Sequence, residues 1–276
     1  MTINCAGKLI DLSIPKIMGI LNITPDSFYD GGRYNSDKKI LDHVEKMIID
    51  GAVFIDIGAY SSRPVGVDID ENEELKRIIP AIELVNKKFP EIIISIDTFR
   101  SKVAEACLNS GASIINDISA SQLDEKMMET ISKYNVPYII MHMKGNPQNM
   151  MDKTNYDDML QEMIKYFSKK INQAISYKIN DIIIDPGFGF AKNIKQNYDL
   201  LNHLDLLKIL DKPIMVGISR KSMIYKSLDS TPQEALNGTT VLNTVALIKG
   251  ASILRVHDVK EANECIKLIG SLNKQL

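Results

Sequence analysis

Eight short runs rich in β-branched residues recur along the chain, and each is followed by a segment with helical spacing. The runs are PKIMGILN (15–22), AVFIDIGA (52–59), EIIISIDT (91–98), SIINDIS (113–119), PYIIMHM (137–143), DIIIDPG (181–187), PIMVGIS (213–219) and SILRVHD (252–258). Each is almost continuously apolar, which suits parallel strands covered on both faces. Between them lie DKKILDHVEKMIIDG (37–51), ENEELKRIIPAIELVNKKF (71–89), FRSKVAEACLNSG (99–111) and NYDDMLQEMIKYFSKKINQAISYK (155–178). The first of these has an acidic start, apolar residues three and four apart and a stopping glycine, and the others follow suit. Over 276 residues the repeat takes about 34 residues per unit, which predicts an α/β fold of the (β/α)8 TIM-barrel type. A doubly wound open sheet is the alternative, but no GxGxxG follows the first strand. No linker, charge block or low-complexity segment divides the chain. The reading is one domain over 1–276, with a cap or hairpin in 1–14, the barrel core in 15–258 and a last helix in 259–276.

The remaining totals exclude several classes. A formal net charge of -2 and a pI near 6.1 give no global field to draw the chain to nucleic acid or acidic lipid. Cys5, Cys107 and Cys265 lack CxxC spacing and read as free thiols in a reducing cytosol. The N-terminus MTINCAGKLIDLS has no basic region followed by a long apolar core, so no signal peptide is expected. No run approaches the roughly 20 apolar residues of a membrane span. The expectation is a cytoplasmic protein without nucleic-acid or membrane partners.

Barrel enzymes carry their chemistry at the C-terminal ends of the strands. In this chain those ends lead to Asn22, then Ser61-Ser62-Arg63, Asp97, Asn116, His142, Asp185, Lys221, and Arg255 with His257. Burying such groups costs about 1–3 kcal/mol each unless they are paired, so stability alone does not call for them. Taken singly, an aspartate there could cap the next helix. Convergence of seven or eight on one rim is not explained by capping. Asp97, Asn116, Asp185 and Lys221 can read the edge of a flat heterocycle rich in amides and amines. Asn22, Arg255 and His257 suit phosphate and a hard cation. Arg63 and the pair Arg220-Lys221 add positive charge for an anionic substrate.

The motifs MGILNITPDSFYDGG, DIGAYSSRPVG, SIDT, INDIS, MHMKGNP, IIDPGFGFAKN, VGISRKS and LRVHDV, in this order from about residue 16 to 258, resemble those of the dihydropteroate synthases, which are pterin-binding TIM barrels. The resemblance implies a transferase of folate biosynthesis. Such an enzyme condenses 6-hydroxymethyl-7,8-dihydropterin pyrophosphate with p-aminobenzoate and is a sulfonamide target. It implies that Asp97, Asn116, Asp185 and Lys221 hold the pterin, and that Asn22, Ser62, Arg63, Arg255 and His257 hold pyrophosphate. Mg2+ would sit on Asn22. The p-aminobenzoate site would comprise Phe28, Ser62, Arg63, Pro64, Phe190, Ser219 and Lys221. Loss of pyrophosphate leaves a pterinylmethyl cation-like centre. Asp30 in the opening loop is the nearest candidate carboxylate to stabilise that centre, while Asn22, Lys221, Arg255 and His257 act on the leaving group and the pterin. An aromatic amine is neutral near pH 7, so no Ser-His-Asp set is needed.

Pro25, Gly31 and Gly32 suit a loop that closes over the pocket, with SSRPVG as its partner. Two departures from the family pattern, Ser62 where threonine is usual and the inserted Val65, bear on the p-aminobenzoate pocket. His142 reads as pocket floor, Phe188 and Phe190 as pocket walls, His43 and His203 as surface residues on helices, and NMMDKTNYDDM as helix packing. The family dimerises through late outer helices, and QEALNGTTVLNTVALIKG is apolar enough to make the chain a homodimer. The rival readings are a methyltetrahydrofolate:corrinoid methyltransferase and a non-catalytic pterin-binding paralogue.

Overall fold

The structure is a computed structural model that describes residues 1–23, 33–60 and 69–273. Two antiparallel strands come first, β1 (Thr2–Cys5) and β2 (Lys8–Asp11). Eight parallel strands then alternate with helices. They are β3 (Lys16–Asn22), β4 (Phe54–Gly58), β5 (Ile93–Asp97), β6 (Ile114–Asp117), β7 (Tyr138–Met141), β8 (Ile182–Asp185), β9 (Met215–Val216) and β10 (Ile253–Val256). Each strand pairs with the next from β3 to β8, and β10 lies between β3 and β9. A bridge between Ile184 and Ile214 joins β8 to the segment entering β9 and completes the circle. All eight strands fall in the runs identified from the sequence.

The described helices are α1 (Arg33–Asp50), α2 (Glu71–Lys88), α3 (Ser101–Asn109), α4 (Met127–Ser132), α5 (Met159–Ser176), α6 (Ile194–Asn202), α7 (Ser222–Tyr225), α8 (Leu236–Ile248) and α9 (Val259–Asn273). Their ends have chemical causes. Asp70 accepts a hydrogen bond from the Glu73 amide at the start of α2, Asp158 does the same for Gln161 at α5, and Asn193 with Gln196 forms a reciprocal capping box at α6. A capping side chain satisfies an amide that the helix itself leaves unpaired.

Because successive strand residues point to opposite faces, the barrel sorts its side chains by parity. One set, including Ile17, Leu21, Ile55, Ile57, Ile94, Ile96, Ile115, Ile140, Ile182, Ile184, Val216 and Leu254, packs in one large cluster with the buried faces of the helices. The other set begins with one residue per strand: Met18, Phe54, Ile93, Ile114, Ile139, Ile183, Met215 and Ile253. These eight form the floor of the barrel. Ile3, Cys5 and Leu12, from the N-terminal hairpin and the residue after it, pack in the same cluster, so the hairpin covers the floor from below. Gly19 shows how closely the outer layer approaches, since a Cβ there would come within 2.5 Å of Met47 Sδ.

The floor generates a prediction. Truncating the fully buried Phe54 to alanine should cost about 3–5 kcal/mol. Removing the side chain of Leu9 on β2, which is 71% exposed, should cost little. Denaturant unfolding of both variants measures the difference, and equal costs would show that the floor is not a packed layer.

Candidate active site

Two residues beyond the floor on the same face, the chemistry changes from hydrocarbon to charge. Phe54 is followed by Asp56, Ile93 by Ser95 and then Asp97, Ile114 by Asn116, Ile183 by Asp185 and Ile253 by Arg255. The period of two therefore delivers one polar group from each of several strands into a single chamber above the floor.

Arg255 is the centre of this chamber. Its Nε donates to Asp56 Oδ2 at 2.6 Å and its Nη2 to Asp97 Oδ2 at 2.6 Å. Asn116 Nδ2 donates to the same oxygen of Asp56 at 3.0 Å. Burial opposes the charge of Arg255, but Asp56 and Asp97 more than offset it and hold the guanidinium above its ordinary range. Burial pushes the Asp97 carboxyl up, with Arg255 opposing. Burial likewise raises Asp185, against the charge of Lys221. Asp185 Oδ1 accepts a hydrogen bond from the Gly187 amide at 2.8 Å. Gly58 has no side chain where a Cβ would lie 3.3 Å from that of Asp97, so it leaves room for this carboxylate at the mouth.

Lys221 enters from the segment after β9. Its ammonium donates to the Phe188 carbonyl and lies 4.8 Å from the centre of the Phe190 ring, a cation–π arrangement. Burial lowers its pKa to about 8, opposed by Asp185. Ser219 Oγ lies 3.1 Å from His257 Nδ1 and accepts from the His257 amide at 3.2 Å, which ties the ends of β9 and β10 together. Asn22 closes β3 in register with Gly58 and is half-buried.

The structure thus brings Asp97, Asn116, Asp185, Lys221, Arg255, Asn22, Ser219, His257 and Phe190 to one end of the barrel. Arg255, assigned from the sequence to the phosphate-binding set, is bonded directly to Asp97 of the other set and so links the two. Phe28, Asp30, Ser62, Arg63 and Pro64, together with the loops that carry them, lie outside the described residues.

Several readings need correction. Arg220 does not add charge to the chamber. It has a positive φ of 54°, so its side chain leaves on the other side and forms a two-pronged pair with Asp258 at 2.9 and 2.8 Å. Phe188 is no pocket wall: its ring is buried in the helix-facing cluster, and only its carbonyl faces Lys221. His43 is half-buried on α1 beside the Ile20 backbone, and burial lowers its pKa. His203 is a surface residue as read, its side chain 44% exposed, but it stands just past the end of α6, with Nδ1 3.0 Å from the Asp199 carbonyl oxygen. In NMMDKTNYDDM, Met159 opens α5 and packs in the helix-facing cluster as read, whereas Met150 sits in a 3-10 turn and packs with Ile118, Met141, Met143 and Ala191.

Two residues escaped the sequence reading. Asp56 is fully buried with Oδ1 unpartnered, and its signal was an acid inside an otherwise apolar run, on the parity of Phe54. Lys192 is only 1% exposed, and nothing in GFGFAKN marks it as internal.

The chamber has the donors and acceptors to bind a planar polar ring at depth and an anion nearer the rim. Known proteins resemble this chain over nearly its whole length. Residues 18–257 match the family of pterin binding enzymes. The dihydropteroate synthase of Escherichia coli K12 is 41% identical over 98% of this chain and 95% of that protein, and that of Bacillus subtilis 168 is 40% identical over 94% and 89%. The crystal structure of the Yersinia pestis dihydropteroate synthase with a sulfonamide drug complex has a TM-score of 0.93 and 39% identity, covering 99% of this chain and 100% of that one. A Xanthomonas albilineans dihydropteroate synthase with 4-aminobenzoic acid has a TM-score of 0.91 and 33% identity, covering 99% and 98%. From its fold, its polar chamber and these full-length likenesses, the chain belongs to the pterin-binding enzyme family, within its dihydropteroate synthases, and is a transferase.

Proposed function

We propose that this chain condenses 6-hydroxymethyl-7,8-dihydropterin pyrophosphate with p-aminobenzoate to give 7,8-dihydropteroate and pyrophosphate in folate biosynthesis, and that sulfonamides compete for its arylamine site. The observation that carries the reading is the chamber in which Arg255 spans Asp56 and Asp97 while Asn116 rests on Asp56. Asp97, Asn116 and Asp185, with the unassigned Oδ1 of Asp56, offer acceptors and an amide to the amino and lactam edge of a pterin. Lys221 supplies an ammonium donor to the same ring. Its neighbour Phe190 gives the arylamine an apolar face, and Ser219 a hydroxyl.

In the reaction, the bond from the pterin methylene carbon to the pyrophosphate oxygen breaks with its electron pair leaving on oxygen. The methylene carbon becomes cation-like, the amine lone pair forms the new C–N bond, and the amine loses one proton. His257 at the rim and the remaining N–H groups of Arg255 inside the chamber are the donors for the departing charge, and donors fixed before the reaction lower the barrier most. Asp30, Phe28, Ser62, Arg63 and Pro64 keep the roles read from the sequence: stabilisation of the cation for Asp30, and contacts to the arylamine and pyrophosphate for the others.

Mg2+ fits this set only in a particular way. Among the described residues no group of three or more His, Cys, Asp or Glu could hold a metal ion, and Asn22 offers one neutral amide oxygen. A hard cation that keeps most of its water and is bound mainly by substrate phosphates suits such a site. Asn22 would hold it, and the ion would supply charge neutralisation at the leaving group.

The cytoplasm is the proposed compartment, since Cys5, Cys107 and Cys265 are buried and free, as a reducing compartment allows. Among the described residues no helix is long and apolar enough to cross a membrane. A homodimer is the proposed assembly, supported by exposed Val241 and Ile248 on α8 and Leu268 and Leu272 on the adjoining α9. Sedimentation should therefore show a species of twice the chain mass, and introducing glutamate at Val241 and Leu268 should convert it to monomer. A wild-type monomer at assay concentration would refute the assembly.

Turnover with pterin pyrophosphate and p-aminobenzoate, with and without Mg2+, tests the reaction. Dihydropteroate should form, and Asp185→Ala and Lys221→Ala should each lower kcat/KM by about 10²-fold or more. Comparable activity in the Asp185 variant would contradict the pterin assignment.

The Lys221 ammonium is the form that donates to Phe188 and faces Asp185. Its folded pKa of about 8 lies below the ordinary 10.5, so the ammonium is present below that value and lost as pH rises through it. The profile of kcat/KM should accordingly fall on the alkaline side near pH 8. A profile that stays flat well above that point would show that the ammonium is not needed.

A further inference from the structure

Lys192 belongs to no part of the site described above, yet it is one of the largest fully buried side chains. Its ammonium lies 3.1 Å from the Gly187 carbonyl, 3.0 Å from the Phe190 carbonyl and 3.1 Å from His142 Nδ1. An ammonium has three N–H donors and no acceptor, so these three partners use it completely. Taking such a charge out of water is expensive unless every donor is satisfied.

The third partner is itself fixed. His142 is 2% exposed and is packed edge-on against Tyr166 with ring centres 4.9 Å apart. Burial, and then the Lys192 charge, hold its pKa well below the ordinary value, which keeps the ring neutral. A neutral imidazole that accepts at Nδ1 must carry its proton on Nε2. Burial lowers Lys192 itself to about 7, with Asp185 opposing, so the three-donor form is present below that value and is lost before the Lys221 ammonium as pH rises; the variants below are therefore compared on the acid side of it.

The turn that Lys192 grips is the one against which Lys221 is set. Gly187 has φ +71°, and a Cβ there would lie 2.2 Å from the His142 carbonyl oxygen. Gly189, with φ +80°, would place a Cβ 3.4 Å from Lys221 Cδ, and its amide donates to Asn197 Oδ1 at 2.7 Å. The Phe188 carbonyl and the Phe190 ring on this turn are the two groups that Lys221 meets. Lys192 thus holds the turn from inside while Lys221 lies against its other side.

We propose that Lys192, with His142 as its acceptor, is a positioning residue: an internal ammonium peg that fixes the Gly187–Phe190 turn and thereby the place of Lys221 in the chamber. Its effect on turnover rests on the reaction proposed above. Its effect on Lys221 does not.

Lys192→Met keeps the length of the side chain and removes all three donors. It should lower kcat/KM by about 10²-fold, the cost of a misplacement near 1 Å, and should shift the Lys221 side-chain amine resonance in heteronuclear NMR. His142→Gln retains an acceptor and should stay within a few-fold of wild type. His142→Phe, which has none, should fall with Lys192→Met, and the Lys192→Met/His142→Phe double variant should be no worse than the worse single one, as for residues that act as a unit. Wild-type His142 should show an unprotonated, acceptor-type Nδ1 signal, which Lys192→Met should shift.

A folded Lys192→Met with wild-type kcat/KM and an unmoved Lys221 resonance would overturn the inference. If Lys192→Met does not fold, the histidine pair decides, and equal activity in His142→Gln and His142→Phe overturns it. If wild type itself makes no dihydropteroate, the proposed reaction fails, and the Lys221 resonance alone then judges the peg.

Discussion

The guanidinium of Arg255 between Asp56 and Asp97 is the interaction on which the chamber depends. Three carboxylates surround it, counting Asp185, and such like charges repel one another unless a cation stands among them. Two hydrogen bonds of 2.6 Å let one planar cation serve two acids on neighbouring strands. Removing one partner from a buried pair costs about 3–5 kcal/mol, because the other charge is left uncompensated. The same three groups that form a binding surface therefore also hold the strand ends of β4, β5 and β10 in place.

That ionic set rests on a purely geometric foundation. A parallel barrel has two faces, and alternation along each strand assigns them strictly. One face meets the helices and is hydrocarbon throughout most of its length. The other begins as a hydrocarbon floor sealed by the N-terminal hairpin and ends as a polar rim. The cost of gathering charged groups is met because the apolar burial is done elsewhere, by the floor and by the large outer cluster.

This division explains what could be read from the residues alone. The eight runs were legible because continuous apolar character over five to seven residues has few other meanings, and the terminal polar residues Asn22, Asp97, Asn116, Asp185 and Arg255 stood out against it. Asp56 was less legible because it does not end its run: parity places it two residues before the end of β4, level with Ser95. Arg220 and Lys221 are adjacent and equally basic. Only the left-handed backbone at Arg220 sends one toward Asp258 and leaves the other in the chamber. Lys192 gave no signal at all, since a lysine in a glycine-rich loop looks like a surface residue until the fold closes around it.

A vessel stoppered at its base has a single door. Whatever settles against Asp56 and Asn116 comes in from the end of the barrel that carries His257, because the floor and the hairpin beneath it fill the other end. The hairpin, at the opposite pole from any ligand and touching none, thus sets the direction from which every ligand approaches.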